Sequence, residues 1–259
     1  MSPPDEQALL AVAREAARVG ALELMSRFRR GATGVHSKST PTDLASEADL
    51  AAERAIRELL ARVRPGDAIL AEEGGATGEG ALRWVVDPLD GTINYLFGIP
   101  AFAVSVACED VSGTLVGVVF DPVREECFAA TRSGDATLNG SEIAGSTRGD
   151  LATAMVATGF GYDSAERVRQ AAVLARVLPR ARDIRRFGSA ALDLAWCACG
   201  RWDAYYERGV KPWDVAAGAL IARRAGLVVR DLVATDQDLA GLVVAPAGIV
   251  DELYGLVAG

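Results

Sequence analysis

Seven acidic residues of this chain, Asp43, Asp49, Glu72, Glu73, Asp87, Asp90 and Asp214, stand where backbone elements are expected to begin or end. Asp87 and Asp90 close the run WVVDPLDGT at 84–92, in which three apolar residues lead straight into two carboxylates three positions apart. Glu72 and Glu73 follow a second apolar run at 68–71, Asp43 and Asp49 precede and open an amphipathic segment, and Asp214 opens another. Strand ends and helix starts are where a rigid scaffold presents chemistry. These carboxylates stand beside a single histidine, His36, and four cysteines, Cys108, Cys127, Cys197 and Cys199, with no C-x-x-C pair. Such a set supplies hard oxygen ligands, which suit Mg2+, Mn2+ or Ca2+ rather than Zn2+. One histidine excludes a multi-histidine zinc site. A Ser-His-Asp triad would need His36, which lies in a polar stretch and reads as a surface residue. Cys197 and Cys199 sit in an apolar stretch and read as packed core, and a chain of this length needs no disulfide framework.

The local chemistry of D-P-L-D-G-T is specific. Pro88 stiffens a turn and removes one N–H. Asp87 and Asp90 can then point to one side, with the Leu89 carbonyl between them. Gly91 lets a backbone or a phosphate come close, and if a helix starts here, the Gly91 and Thr92 amides can bind a phosphate oxygen. An ordinary Asp-Gly turn is the plain alternative. A covalent alternative also exists: phosphatases of the haloacid dehalogenase type carry D-x-D-G-T, with the nucleophilic aspartate two residues before the second. Here that position is Pro88 and Asp87 stands one place too early, so the covalent reading fails. Asp49 lies in capping-box spacing from Ser46 and has an ordinary account as a helix N-terminal acid.

The elements that must position these residues follow from periodicity. Residues 5–30 carry helical spacing at Leu9, Leu10, Val12, Ala13, Ala16, Ala17, Leu22 and Leu24, with Gly31 and Gly34 as the stop. A second helix runs from Ser46 to the Pro65-Gly66 stop. Strand-length runs at 68–75, 82–92, 101–110, 113–121 and 125–134 then predict an antiparallel block behind two helices. After a polar, Gly-containing stretch at 144–150 the pattern alternates. Strands are expected at 151–159, 202–208, 227–232 and 242–246, an extended piece at 182–188, and helices at 164–178, 189–200, 212–226 and 248–258. That alternation reads as α/β. The division is therefore an N-terminal α+β half, 1–145, and a C-terminal α/β half, 146–259.

Bulk properties narrow the partners. Half of the 259 residues are hydrophobic and the net charge is −8. That charge speaks against nucleic-acid binding, no apolar run approaches a membrane span, and the N-terminus lacks a signal-peptide pattern. A cytoplasmic protein is expected, with neither nucleic acid nor membrane as partner.

The motifs together resemble the inositol monophosphatase family, within the wider group of lithium-sensitive, Mg2+-dependent sugar-phosphate phosphatases. The resemblance is carried by KSTPTDLASEAD (38–49), AEEG (71–74), WVVDPLDGTINYLFGIPAFAVSVA (84–107) and GSAALDLAWCACGRWDAYYERGVKPWDVAAGALI (188–221), and it runs over nearly the whole chain. It implies a layered α-β-α-β-α sandwich of the inositol monophosphatase and fructose-1,6-bisphosphatase type, and commonly a homodimer. It implies two or three Mg2+ ions per subunit: one on Glu72, Asp87 and the Leu89 carbonyl, a second on Asp87, Asp90 and Asp214, and a weaker third supported by Glu72. It implies that Thr92 and Asp49 orient the attacking water near Glu72 and that Gly91 and Thr92 donate to the phosphate. Glu207 would bond sugar hydroxyls, with Gly188, Ser189 and Ala190 also beside the substrate and Asp90 and Asp214 reaching it. The implied substrate is a small phosphorylated polyol or sugar, above all inositol monophosphate. Relatives act on histidinol phosphate, fructose 1,6-bisphosphate or 3′-phosphoadenosine 5′-phosphate, and a non-catalytic metal- and phosphosugar-binding regulator is the alternative of another class.

Other residues keep two readings. Lys38 matches a family lysine or is a solvated side chain, Trp213 packs and positions Asp214, Glu73 is a supporting or solvent acid, and Asp43 braces the metal loop. Arg180, Arg182, Arg185 and Arg186 are surface or interface. Three departures from the family pattern stand out: Ala48 in place of Thr, Gly161 in place of Pro, and Leu227 in place of Gly. The first touches the water network. The other two are expected at the substrate lid or edge.

Overall fold

Two helices lead the chain and two sheets follow, in a computed structural model that describes residues 4–29, 34–37, 44–236 and 238–259. The described residues begin with α1 (Glu6–Arg27), the two-residue strands β1 (His36–Ser37) and β2 (Leu44–Ala45), and α2 (Glu47–Val63). Next come β3 (Ala68–Ala71), β4 (Gly75–Thr77), β5 (Arg83–Asp90), α3 (Thr92–Leu96), β6 (Ala103–Asp110), β7 (Gly113–Asp121), β8 (Glu126–Thr131), β9 (Thr137–Leu138) and β10 (Ser141–Glu142). The last group is β11 (Met155–Thr158), α4 (Ser164–Val177), β12 (Asp183–Arg185), α5 (Ala190–Ala198), β13 (Ala204–Arg208), α6 (Pro212–Arg224), β14 (Val228–Leu232), β15 (Gly241–Ala245) and α7 (Val250–Ala258). Lys38 and Asp43 lie outside the described residues, as does the side chain of His36.

Helix α1 starts because the Asp5 carboxylate accepts the N–H groups of Gln7 and Ala8 at 3.0 and 3.1 Å, which satisfies two of the orphan donors of a helix start. Its buried stripe is Leu9, Leu10, Ala13, Ala16, Ala17, Gly20, Ala21 and Leu24, a 3–4 spacing that packs on β6 and β7. Leu22, expected on that stripe, is out of phase with it and 61% exposed. The helix also stops at Arg27, short of the glycines expected to end it, and Arg29 takes a left-handed φ of 62°.

The layers run α1 and α2, the first sheet, α5 and α6, the second sheet, then α4 and α7. This is the expected α-β-α-β-α sandwich. The first sheet has the order β10-β9-β8-β7-β6-β5-β3-β4 and is antiparallel except for one pair, β3 with β5. The second has the order β12-β11-β13-β15-β14, parallel across β12, β11 and β13 and antiparallel at β15 and β14. The strand expected over 151–159 is shorter: a 3₁₀ turn at Leu151–Thr153, capped by Asp150, takes its first residues.

Every residue of α5 is buried, as befits a helix closed between two sheets. Its core joins Val85, Ala103 and Val119 of the first sheet to Ala157, Tyr205 and Val244 of the second, with Cys197 inside. Helix α6 lies so close to the first sheet that a Cβ at Gly117 of β7 would stand 2.8 Å from the Ala217 Cα. Among the described residues no helix is long and apolar enough to cross a membrane.

Candidate active site

Glu72 and Asp87 are brought together by the one parallel pair of the first sheet. Ala71 of β3 registers with Val86 of β5, and the Glu72 N–H donates to the Val86 carbonyl at 3.2 Å. Because both strands run the same way, their carboxyl ends finish at one edge, with Glu72 next to Asp87. Strand β5 does not give way at Pro88 but stays in the ladder to Asp90. Asp87 pairs with Ser105 and Asp90 with Ala103, and Pro88 and Leu89 form the bulge between them. A bulge re-aims side chains at a sheet edge, and proline is tolerated there because it owes the ladder no N–H. The Asp87 carboxylate accepts the Leu89 N–H at 2.9 Å and fixes the bulge.

Four helix starts converge on this edge. At α3, Gly91 is the N-cap with a φ of 96°, and a Cβ there would lie 3.0 Å from the Ala101 carbonyl, so only glycine fits. Asp90 meets the start of α5: its Oδ2 accepts from the Ser189 hydroxyl at 2.5 Å and from the Ala191 N–H at 2.7 Å. Asp214 is in the first turn of α6, where its Oδ2 accepts the Lys211 N–H at 2.6 Å. Asp49 is in the first turn of α2. Its Oδ2 accepts from the Ser46 N–H and hydroxyl at 2.9 and 2.6 Å, and its Oδ1 lies 3.0 Å from the Thr92 hydroxyl. Thr92 Oγ1 is also 3.1 Å from the Leu89 carbonyl, so its one proton serves two acceptors.

Glu72, Asp87, Leu89, Asp90, Gly91, Thr92, Gly188, Ser189, Ala190, Glu207 and Asp214 all line one cavity of about 450 Å³. Asp49 stands behind Thr92, fully buried. Burial pushes the Asp87 carboxyl well above the usual range, and Glu72, Asp90 and Asp214 push it further. Asp90 is raised to about 6, chiefly by burial, although the donors at the α5 start pull the other way. Asp214 is raised by burial and by Asp90. Burial also lifts Glu207 to about 7, against the hydrogen bond from the Tyr205 hydroxyl at 2.6 Å and the nearby Arg186.

Carboxylates that repel one another inside a protein fit a hard cation in chemistry. As they stand they close no shell: among the described residues, no group of three or more His, Cys, Asp and Glu side chains is arranged to hold a metal ion. Glu72, Asp87, Asp90 and Asp214 would have to draw together around one.

Supporting residues appear that the sequence does not announce. Glu53 of α2, 4% exposed, accepts the N–H groups of Glu73 and Gly74 at 2.8 Å each and pairs with Arg57 at 2.7 Å. It therefore holds the turn that carries Glu72; in the sequence, an i,i+4 spacing from an arginine is that of any surface pair. Ser105 sits opposite Asp87 and donates to the Trp213 carbonyl at 3.0 Å, tying the start of α6 to the sheet. Asn94 donates to the carbonyls of Ala101 and Phe187, which fixes α3 against the approach to α5.

The arginines at 180–186 divide. Arg180 pairs with Glu252 and Arg185 with Asp183, while Arg186 lines the cavity. Of the three departures, Ala48 is buried at the start of α2 and Gly161 lines the cavity. Leu227 does not: it fills the core between the sheets and presses against Gly145, which corrects its expected place at the substrate edge.

The description of the inositol monophosphatase family matches residues 5–255. The inositol-1-monophosphatase SuhB of Mycobacterium tuberculosis is 46% identical over 242 residues, covering 88% of this chain and 83% of its own. The Nus factor SuhB of Pasteurella multocida is 39% identical over 250 residues, 94% of this chain and 93% of its own. The solved structure of the extragenic suppressor protein suhB from Bartonella henselae superposes with a TM-score of 0.88 at 34% identity, over 96% of this chain and 98% of that one.

Proposed function

The chain belongs to the inositol monophosphatase family, and from that premise we propose that it is a Mg2+-dependent phosphatase that hydrolyses inositol monophosphate to inositol and phosphate. The observation that carries this reading is the convergence of Glu72, Asp87, Asp90 and Asp214 from three separate elements onto one cavity, each aspartate raised first by burial and further by neighbouring acids. Glu72, Asp87, the Leu89 carbonyl, Asp90 and Asp214 would hold two or three Mg2+ ions, or Mn2+ or Ca2+ in their place. Bound divalent ions supply offsetting charge for the phosphate dianion and make a water easier to deprotonate.

The remaining steps belong to the protein's own groups. Thr92 commits its proton to Asp49 or to the Leu89 carbonyl, so its oxygen has only lone pairs to offer and accepts a hydrogen bond from the attacking water. Glu72 stands on the neighbouring strand end to take the proton. The Gly91 and Thr92 amides face the phosphate. Glu207, steadied by the Tyr205 hydroxyl, accepts from hydroxyls of the polyol, with Gly188, Ser189 and Ala190 forming the wall beside it. Water attacks phosphorus directly, without a covalent phosphoenzyme.

Phosphate release from inositol monophosphate, histidinol phosphate, fructose 1,6-bisphosphate and 3′-phosphoadenosine 5′-phosphate tests this, with Mg2+, with EDTA, and with Asp90→Asn. Inositol monophosphate is expected to be the preferred substrate, EDTA and Asp90→Asn to abolish turnover, and Li+ to inhibit. Turnover that survives EDTA would sink the metal mechanism. A second reading is favoured by the names of relatives such as the Pasteurella multocida Nus factor: a regulator that binds metal and phosphosugar without turnover. Metal binding with no hydrolysis on any substrate would select it. A homodimer is proposed from the family resemblance and a cytoplasmic location from the sequence pattern; sedimentation of the purified protein checks the dimer.

A further inference from the structure

Gly161 is the departure from the family pattern that the proposed reaction leaves without a role. It lies in the loop between β11 and α4 and lines the cavity, and the side chain packed against it is Glu166. A Cβ on Gly161 would stand 2.3 Å from Glu166 Oε2, and one on Gly209 would stand 2.7 Å from Oε1. The carboxylate thus occupies a slot that only two glycines leave open. Glu166 is in the first turn of α4, and an acid there needs no explanation beyond the helix dipole. Its contacts point elsewhere.

Glu166 folds back over the loop and lines the same cavity as Glu207. Glu166 is close enough to figure among the charges that raise Glu207. Its Oε1 accepts from Gln170 Nε2 at 3.1 Å, and Gln170 is itself buried and fixed by the Gly161 N–H at 2.9 Å. Neither nearby arginine hydrogen-bonds Glu166, although both act on its charge: Arg167 donates to the Gly161 and Tyr162 carbonyls, and Arg169 faces Asp238 at 3.7 Å. Lys211, on the same wall, is a donor nearby. A lining that offers the Glu166 and Glu207 carboxylates as acceptors and Lys211 and Arg186 as donors suits a ligand rich in hydroxyls, which both donate and accept.

We propose that Glu166, given room by Gly161, is a specificity-determining residue that accepts hydrogen bonds from the polyol hydroxyls remote from the phosphate, as a second carboxylate beside Glu207. The proposal rests on the phosphatase reading above. A proline or alanine at 161 would push the carboxylate out of its slot, so the glycine and the acid act as a pair.

The experiment compares KM for inositol monophosphate with KM for p-nitrophenyl phosphate, which carries no hydroxyls, in the Mg2+-loaded parent, Glu166→Gln and Gly161→Ala. The ratio of the two KM values is expected to rise roughly three- to ten-fold in each variant, the weight of one charge-assisted hydrogen bond at a partly solvated site. Values of kcat for inositol monophosphate should fall far less than KM rises. An unchanged ratio in both variants overturns the proposal, as does a loss shared equally by both substrates. A parent that hydrolyses p-nitrophenyl phosphate alone overturns it too, while leaving phosphatase chemistry standing. A parent that hydrolyses neither overturns the phosphatase reading and this proposal with it.

Discussion

Gly117→Ala separates two forces of opposite sign. Gly117 is in the interior of β7, where glycine carries an entropic cost, and alanine by itself would stabilise the strand by about 0.5–1 kcal/mol. Packing says otherwise. The new Cβ would lie 2.8 Å from the Ala217 Cα, 2.9 Å from its carbonyl oxygen and 3.2 Å from its carbonyl carbon. Carbon pairs settle at about 3.5–4.0 Å, so α6 would have to withdraw by roughly 1 Å. It has little room to do so. On its flank, a Cβ at Gly218 would meet Leu194 of α5 at 2.6 Å, and at its start Ser105 holds the Trp213 carbonyl.

Overpacking of this kind costs about 1–3 kcal/mol. In a chain of this size that lowers Tm by roughly 2–12 °C. Because α6 carries Asp214 at its first turn, the displacement also moves a proposed metal ligand relative to Asp90. The gain in Tm on adding Mg2+ should therefore shrink. Differential scanning calorimetry of parent and variant, with Mg2+ and with EDTA, reads both effects. A variant with Tm at or above the parent and an undiminished Mg2+ gain would refute the view that close packing of α6 on β7 sets the position of Asp214.

Two further predictions concern other supports of the site. Glu53→Ala removes the buried acceptor for the Glu73 and Gly74 N–H groups and strands Arg57. It should cost about 3 kcal/mol in urea unfolding, as breaking a buried pair does, and should weaken Mg2+ binding measured by calorimetric titration because Glu72 leads that turn. A loss below about 1 kcal/mol would place Glu53 among ordinary surface pairs. For Glu207, the folded-state pKa is raised from 4.5 to about 7, so the folded chain binds more protons than the unfolded one between those values. Its contribution to stability therefore falls as pH rises through that window. Glu207→Gln removes the effect and keeps an acceptor for the Tyr205 hydroxyl. The urea midpoints of parent and variant should coincide near pH 4 and separate by pH 8, the variant being the more stable. A gap that does not depend on pH would contradict the assigned burial of this carboxyl.

Local signals carried much of the architecture. Periodicity placed the long helices and strands, and the spacing of D-P-L-D-G-T, E-E and P-W-D picked out residues that now share one cavity. What stayed hidden was pairing between elements. Runs at 68–75 and 82–92 look like a hairpin in a block of antiparallel strands, yet β4 takes the antiparallel place beside β3, and β3 meets β5 in parallel. Nothing in the strand sequences distinguishes these, because a buried strand reads the same in either direction. Glu53, Ser105 and Glu166 were invisible for a related reason: each has an ordinary local account, as an i,i+4 partner, a strand serine and a helix N-terminal acid. Only tertiary contact shows the turn, the helix start and the cavity wall that they serve.

Capping and chemistry were competing accounts of Asp49, and the same choice arises at Asp214. The capping contacts occupy one oxygen of each carboxylate. At α2, Asp49 Oδ2 accepts from Ser46 and closes the helix start, while Oδ1 meets the Thr92 hydroxyl. At α6, Asp214 Oδ2 closes the start on the Lys211 N–H and leaves Oδ1. Asp90 repeats the pattern from the other side, spending Oδ2 on the donors that open α5. In each case one oxygen locks the side chain to a helix N-terminus, which fixes its direction, and the positive end of that helix lowers the cost of gathering so many acids in one place. A bidentate side chain anchored at one oxygen loses little further entropy when the second finds a ligand. The helix starts around this cavity therefore do more than begin helices: they fix the directions of Asp49, Asp90 and Asp214, toward which Glu72 and Asp87 would still have to draw around a bound cation.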